Sequence, residues 1–386
     1  MSTRTKTSRQ PHPPTLAIYN IPVKTKPGVL PLFRHLTSVP TAPFRETAVS
    51  RKALEWIRAQ IGSRASVKKV RGGFIISYRG AGKGPSLCLA AHLDHPAFDL
   101  LTVTKTGATA RLRGGLPPHL LPGADVQAFP KVPIDNQPSA LGVIGPRPKK
   151  DGGLWTISWT RAPKDDAKLD FAVLALPACE IKNGWLLSRS VDDLLGCAIS
   201  LEAMRRLMKA RAKVNLTVLL NRAEEVGFVG ALDMIRSGAL SPYDSYLSIE
   251  SSRELPGSKP GRGPTIRLGD RASAFDANLT ALLDDAAAKL RKRGAKIQRL
   301  RLTGGACEAT AYLAFGFESG GLAVPLVNYH NGWGADAVAP EKVRLSDIEG
   351  GIRLLVEASK LFAERILRGS LRTRLEKRHD AEMRSL

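Results

Sequence analysis

The rhythm of apolar residues breaks once, and that break limits the possible folds more than any other feature. Before residue 99 and after about 184, strand-sized apolar runs alternate with stretches of helical period. Between them, pieces such as LLTVT, ATARL, LGVIG, LWTISW and FAVLAL are separated by Gly, Pro and Lys turns, and no helical period appears. The first pattern belongs to a sheet flanked by helices and the second to a β-rich unit. The expected class is α/β: one mixed-sheet domain with flanking helices, assembled from 1–98 and 185–386, with an inserted β-rich domain at 99–184.

Within the α/β part, Val49, Ala53, Ile57 and Ile61 recur every four positions, with Leu54 and Trp56 beside them, which predicts an amphipathic helix between Phe44 and Ile61. FIISY (74–78) and SLCLAA (86–91) read as strands, and the second runs into the polar cluster AHLDHP. The end of a buried strand is where open α/β sheets place their chemistry. Beyond 185, Cys197, Leu201, Met204 and Met208 stripe a helix, and VNLTVLL (214–220), SYLSIE (245–250), KIQRLRL (296–302) and GLAVPLV (321–327) read as strands. Helices are expected near 228–237, over about 276–293, after Gly305 and at the end, where Ser346 and Glu349 have capping-box spacing. Residues 251–264 read as a loop. About 1–15 and 370–386 are expected to be flexible, the latter as a charged, solvated extension.

Composition removes several function classes. The chain has 386 residues, 43% of them hydrophobic and 24% charged, enough apolar material for a sizeable core. No apolar run approaches the roughly 20 residues of a membrane-spanning helix. The net charge of +23 is spread along the chain, without an aromatic-interleaved basic stripe or a zinc-finger or RNA-recognition signature, so specific nucleic-acid binding is not expected. MSTRTKTSRQPHPP leads into no apolar signal core. Cys88, Cys179, Cys197 and Cys307 form no CxxC pair, and all but Cys307 lie in apolar stretches, which suits reduced thiols and a cytoplasmic protein.

Five places put metal-type ligands at strand ends: His92 with Asp94, Asp192 with Asp193, Glu224 with Glu225, Glu250, and His330. His92 and Asp94 are two apart on an extended segment, so Asp94 can stand behind His92 and accept its second ring proton. Adjacent Glu224 and Glu225 must point in different directions, so one can bind metal while the other faces substrate as a base. Neutral His92 and His330 with Asp192, Glu225 and Glu250 carry −3, which two divalent ions and a hydroxide would neutralise, whereas a single ion would leave −1. Nitrogen and carboxylate ligands without thiolates suit zinc, cobalt or manganese.

The motifs AHLDHP, SVDDLLGCA, NRAEEVGFVGA, LSIESSRELPG, GRGPTIRLGD, the Gly304-Gly305 loop and VNYHN, in this order, resemble those of the dinuclear-zinc aminopeptidases of the glutamyl or tetrahedral (TET) type in peptidase clan MH. The likeness runs from about Thr41 to Ala363. It implies a zinc-exopeptidase-like fold in which His92 and Glu250 hold one metal, Glu225 and His330 the other, and Asp192 bridges both. Glu224 would be the general base and Asp94 would orient His92. It also implies homo-oligomers assembled partly through the insert, with short peptides as substrates. The chain departs from the family at Glu250, where Asp is usual, at Leu194, where Arg is common, and at GGACEATAY, which replaces a Thr-Asp continuation. His95 has no family counterpart and reads as a polar neighbour rather than an extra ligand.

The leading expectation is thus a metal-dependent aminopeptidase acting on peptide N-termini. A deacylase or deacetylase related to clan MH, acting on N-acyl amino acids or similar amides, would keep the site and change the substrate. A non-catalytic descendant binding an acidic partner is the third reading. Glu224 argues against it, since a purely structural metal site needs no free carboxylate beside its ligands.

Overall fold

In the computed structural model, which describes residues 26–150, 152–164, 168–368 and 371–383, the strand Leu87–His92 lies fully buried inside an eight-stranded sheet. The strand order is Ser66–Val70, Gly73–Arg79, Asn215–Asn221, Leu87–His92, Ser245–Arg253, Glu318–Leu326, Thr265–Arg267 and Gln298–Leu300. The four central strands, from Asn215–Asn221 to Glu318–Leu326, are parallel, and antiparallel partners flank them on both sides. The sheet is therefore mixed, and its parallel heart brings four carboxyl ends to one edge.

Period-2 alternation sorts the side chains of Leu87–His92 onto two faces. Leu87, Leu89 and Ala91 join the core under the helix Val191–Lys209, while Cys88 and Ala90 join a second core with Tyr246 and Tyr312. The rings of Tyr246 and Tyr312 stack at 5.0 Å. Val191–Lys209 is buried without interruption from Val191 to Met204, packed between the sheet and the helix Leu345–Arg368. Its sequence is apolar well beyond one stripe because it meets protein on several sides. The amphipathic helix is Thr47–Gln60, with Val49, Ala53 and Ile57 buried, and it leads into buried Ile61.

Between the two parts of the sheet, Ala97–Val103, Gly107–Arg113, Trp155–Arg161, Ala140–Ile144, Asp125–Pro130 and Leu169–Leu174 close in that order into an antiparallel barrel. Closure removes the exposed edges that short strands otherwise present. Ala108, Ala110, Ala128, Ala140 and Ala172 leave room inside for Phe98 and Trp155, which meet edge to face at 6.3 Å. The chain leaves the barrel at Leu174. Glu180–Lys182 then pairs with Trp185–Ser188, which pairs with Glu341–Arg344. Strand pairing with the α/β part is thus made by Trp185–Ser188, reached through the short hairpin that starts at Glu180.

Other expectations need adjustment. KIQRLRL narrows to Gln298–Leu300, and the strand before the 251–264 loop runs on to Arg253. The capping box does not form: the helix holding these two residues starts at Leu345, directly after a strand, and Glu349 pairs with Arg206 at 2.6 Å. The charged tail contains the helix Leu371–Glu382, while the expected flexible stretch 1–15 lies outside the described residues. All four cysteines are free, three of them buried. Among the described residues, no helix is long and apolar enough to cross a membrane.

Candidate metal centre

The parallel strands explain how distant residues meet. His92 is the last residue of its strand and lies in register with Asn221, three residues before Glu224. Glu250 sits in the neighbouring strand, level with Ala323. His330 follows the end of Glu318–Leu326, and Asp192 lies at the non-helical start of the long helix beside them, with a ψ of 107°. Asp192, His330 and Glu250 are buried, and the Glu225 side chain is 6% exposed.

Ligand atoms of His92, Asp192 and Glu250 lie within 4.8 Å of one another, and so do those of Asp192, Glu225 and His330. Asp192 is common to both groups. Its Oδ1 is 3.6 Å from His92 Nε2, and its Oδ2 is 3.5 Å from His330 Nε2, which is 3.2 Å from Glu225 Oε1. Asp192 Oδ1, Glu225 Oε1 and His330 Nε2 are buried without any hydrogen-bond partner. Burying polar atoms unpaired is costly, and three orphaned ligand atoms turned toward one space fit a cation among them. The donor set of imidazole and carboxylate is one that zinc, cobalt or manganese accepts.

The protonation preferences fit the same conclusion. Burial pulls the imidazoles of His92 and His330 down, but the carboxylates facing them, Glu224 and Asp192 for His92 and Glu225 and Asp192 for His330, drive both well up. Burial pushes Asp192 up, and the two histidines facing it, His330 and His92, hold it below the usual carboxylate range. Burial drives Glu224 and Glu250 up. The protein concentrates negative charge here in excess of its own cations, and positive charge at this point relieves it.

Glu224 and Glu225 reach different histidines, although ligand atoms of His92, Glu224 and Glu225 also lie within 4.8 Å of one another. Glu225 faces His330, whereas Glu224 Oε2 is 3.8 Å from His92 Nε2 and borders a cleft of about 290 Å³ that opens over the group. Asp94 behaves differently from the simple expectation. His92 Nδ1 is 3.2 Å from the carbonyl oxygen of Asp94, while the carboxylate, 3.6 Å from that nitrogen, accepts the backbone N–H groups of Glu224 at 3.0 Å and Glu225 at 3.1 Å. It braces the loop as well as the ring. His95 uses both ring nitrogens elsewhere, toward the carbonyl of Asp192 at 2.5 Å and Asn331 Oδ1 at 2.9 Å, and joins none of the possible ligand groups.

Several contributors escape the sequence. Tyr329 stacks on His330 with ring centroids 3.8 Å apart, and adjacency within VNYHN was its only signal. Glu46 accepts the N–H of Ala223, whose φ of 50° is left-handed, and so steadies the loop before Glu224. Ser248 Oγ donates to Glu250 Oε1 at 2.6 Å. In the divergent GGACEATAY segment, Glu308 is buried behind the centre on Asn221 Nδ2 at 2.7 Å, and burial pushes its carboxyl up to about 8. Leu194 lies in the buried core of the long helix. On the cleft wall stand Arg253, Arg267 and Arg271.

Residues 167–338 match the profile of the M42 glutamyl aminopeptidase family. No curated protein matches the sequence. Among solved structures, the TET aminopeptidase from the marine sediment archaeon Thaumarchaeota archaeon SCGC AB-539-E09 is 20% identical, with a TM-score of 0.71 over 86% of this chain and 96% of that one. The aminopeptidase APDkam598 from Desulfurococcus kamchatkensis is 21% identical, with a TM-score of 0.69 over 86% and 93%. The TET1 peptidase of Pyrococcus horikoshii, which can assemble into a tetrahedron or a large octahedral shell, is 23% identical, with a TM-score of 0.66 over 86% and 99%. This chain shares their fold.

Proposed function

We propose that this chain is a metal-dependent aminopeptidase of the M42 glutamyl aminopeptidase type, hydrolysing N-terminal residues from short peptides. The observation that carries the proposal is the sharing of Asp192 between two adjoining ligand groups, with Glu224 beside them at the edge of the cleft. His92 and Glu250 would hold one divalent ion, Glu225 and His330 the other, and Asp192 both. Zinc is favoured, with cobalt or manganese as alternatives. Bound there, the ions would supply Lewis acidity toward the scissile carbonyl and make water more acidic.

The chain's own residues do the rest. Glu224, buried and tied through its backbone N–H to Asp94, presents Oε2 to the cleft and takes a proton from the attacking water. It then returns that proton to the leaving amine, so no net proton is consumed. Asp94 holds both the loop and the ring of His92. Tyr329 supports the ring of His330 by stacking.

A deacylase remains the second reading, because Arg253, Arg267 and Arg271 on the cleft wall would also meet the carboxylate of an N-acyl amino acid. The free thiols are compatible with a cytoplasmic protein, and the fold shared with TET assemblies supports a homo-oligomer. The deciding experiment removes metal by chelation, restores it ion by ion, and assays aminoacyl p-nitroanilides beside N-acetyl amino acids. Metal-dependent release of free N-terminal residues is expected. Cleavage of the N-acyl substrates alone would move the assignment to the deacylase, and activity indifferent to chelation would reject both.

A further inference from the structure

Two ligand-bearing segments far apart in sequence end on a single carboxylate. Glu341, the first residue of the strand Glu341–Arg344, is fully buried. Its Oε2 accepts the backbone N–H of Asp192 at 3.0 Å, and its Oε1 accepts that of His330 at 2.9 Å. Among the described residues it has no ion-pair partner, so these two amides are what the carboxylate is there to meet. His330 and Asn331 have φ of 48° and 59°, a left-handed backbone that non-glycine residues keep only where their surroundings impose it. The bond from His330 N to Glu341 is one such constraint.

We propose that Glu341 is a positioning residue for the metal centre: by holding both amides it fixes His330 Nε2 against Asp192 Oδ2, and thereby tunes the affinity of the ion those side chains share with Glu225. The inference rests on the two-ion reading above. It concerns the Asp192–Glu225–His330 group most directly, because Glu341 touches neither His92 nor Glu250. A carboxylate suits the role because both of its oxygens only accept. Glutamine has the same length but would turn an NH2 group toward one of the two amides, replacing a bond with two opposed donors. Aspartate keeps both acceptors and falls one methylene short.

The test titrates metal-free wild type, Glu341→Gln and Glu341→Asp with Zn²⁺ against a chromophoric chelator, with far-UV circular dichroism of each metal-free protein. Wild type is expected to take up two ions. Glu341→Gln should hold the first nearly as wild type does and bind the second about 10- to 100-fold more weakly, the usual cost of losing a group that orients a ligand. Glu341→Asp should fall between. The absorption of the second Co²⁺ equivalent should change in the variants, which a purely structural role would not produce.

Wild type taking up one ion or none would reject the two-ion reading and this inference with it. Wild type with two ions and a Glu341→Gln protein whose second affinity stays within about threefold of wild type would overturn the inference alone. So would weakening of both ions in proportion to lost secondary structure. If Glu341→Gln does not fold, Glu341→Asp decides: a weaker second ion supports the role, and an unchanged one overturns it.

Discussion

His330 Nδ1 lies 3.1 Å from the carbonyl oxygen of Gly115, so the loop after the second barrel strand orients a ring that the sheet carries. The same carbonyl accepts Trp333 Nε1 at 2.9 Å. A carbonyl can only accept, so Nδ1 carries a proton, and Nε2 is the ring nitrogen that would serve a cation held with Asp192 and Glu225. The inserted barrel is therefore part of the centre's geometry as well as a neighbour on the chain.

Gly115→Ala tests that coupling. A Cβ at this position would sit 3.0 Å from His330 Nδ1 and 3.3 Å from its Cε1, close enough to displace the ring. Metal affinity should fall about 10- to 100-fold, as for other losses of a ligand's orienting partner, while the barrel remains folded. Metal titration with far-UV circular dichroism checks this, and unchanged affinity would mean that the ring is held from elsewhere, with Tyr329 the first candidate.

His92→Ala and His330→Ala should each lower metal content at a fixed free-ion concentration. Each removes a nitrogen donor and leaves a coordination position that only water can fill. Elemental analysis after equilibrium dialysis against Zn²⁺ is the measurement. Full retention in both variants would remove these histidines from the centre.

Glu224→Gln should retain metal and fold but lose turnover by about 100- to 10,000-fold, the range of general acid–base assistance. The amide has nearly the same size, and Asp94 still receives the backbone N–H of residue 224. KM should change little. If turnover stays above about a tenth of wild type, the proton is handled by another group.

How much of this could be read beforehand depends on where the information lies. His92, Glu224, Glu250 and His330 stand at or just after apolar runs, and such runs declare themselves as strands whatever their partners. Ser66–Val70 did not, because SVKKV is an edge strand, exposed apart from partly buried Val70, and burial gave it little pattern. Ser346 and Glu349 misled because capping-box spacing also arises by chance inside a helix that follows a strand without a break. Glu341, Gly115 and Glu46 were invisible for a different reason. Each acts through a contact between segments that only the folded sheet and barrel bring together, and no local spacing encodes it.

Asp270 gives the centre's surroundings a dependence on pH. Burial favours its neutral form, but Thr310 Oγ1 at 2.6 Å and the backbone N–H groups of Cys307, Ser273 and Ala272 hold its carboxyl below the usual range. These bonds tie the Asp270 turn to the segment leading into the helix Glu308–Ala314, and Arg271 and Cys307 line the cleft. A group whose pKa is lower in the folded state adds stability that is complete above its unfolded pKa, about 3.9, and disappears as pH falls through the folded value. Asp270→Asn should therefore destabilise the protein by about 2 kcal/mol at pH 7, the scale of hydrogen bonds to a charged group. The gap between wild type and variant should narrow steadily below about pH 4. Urea unfolding at pH 7 and pH 3 measures both differences. A gap of the same size at the two values would show that Asp270 contributes by shape rather than by charge.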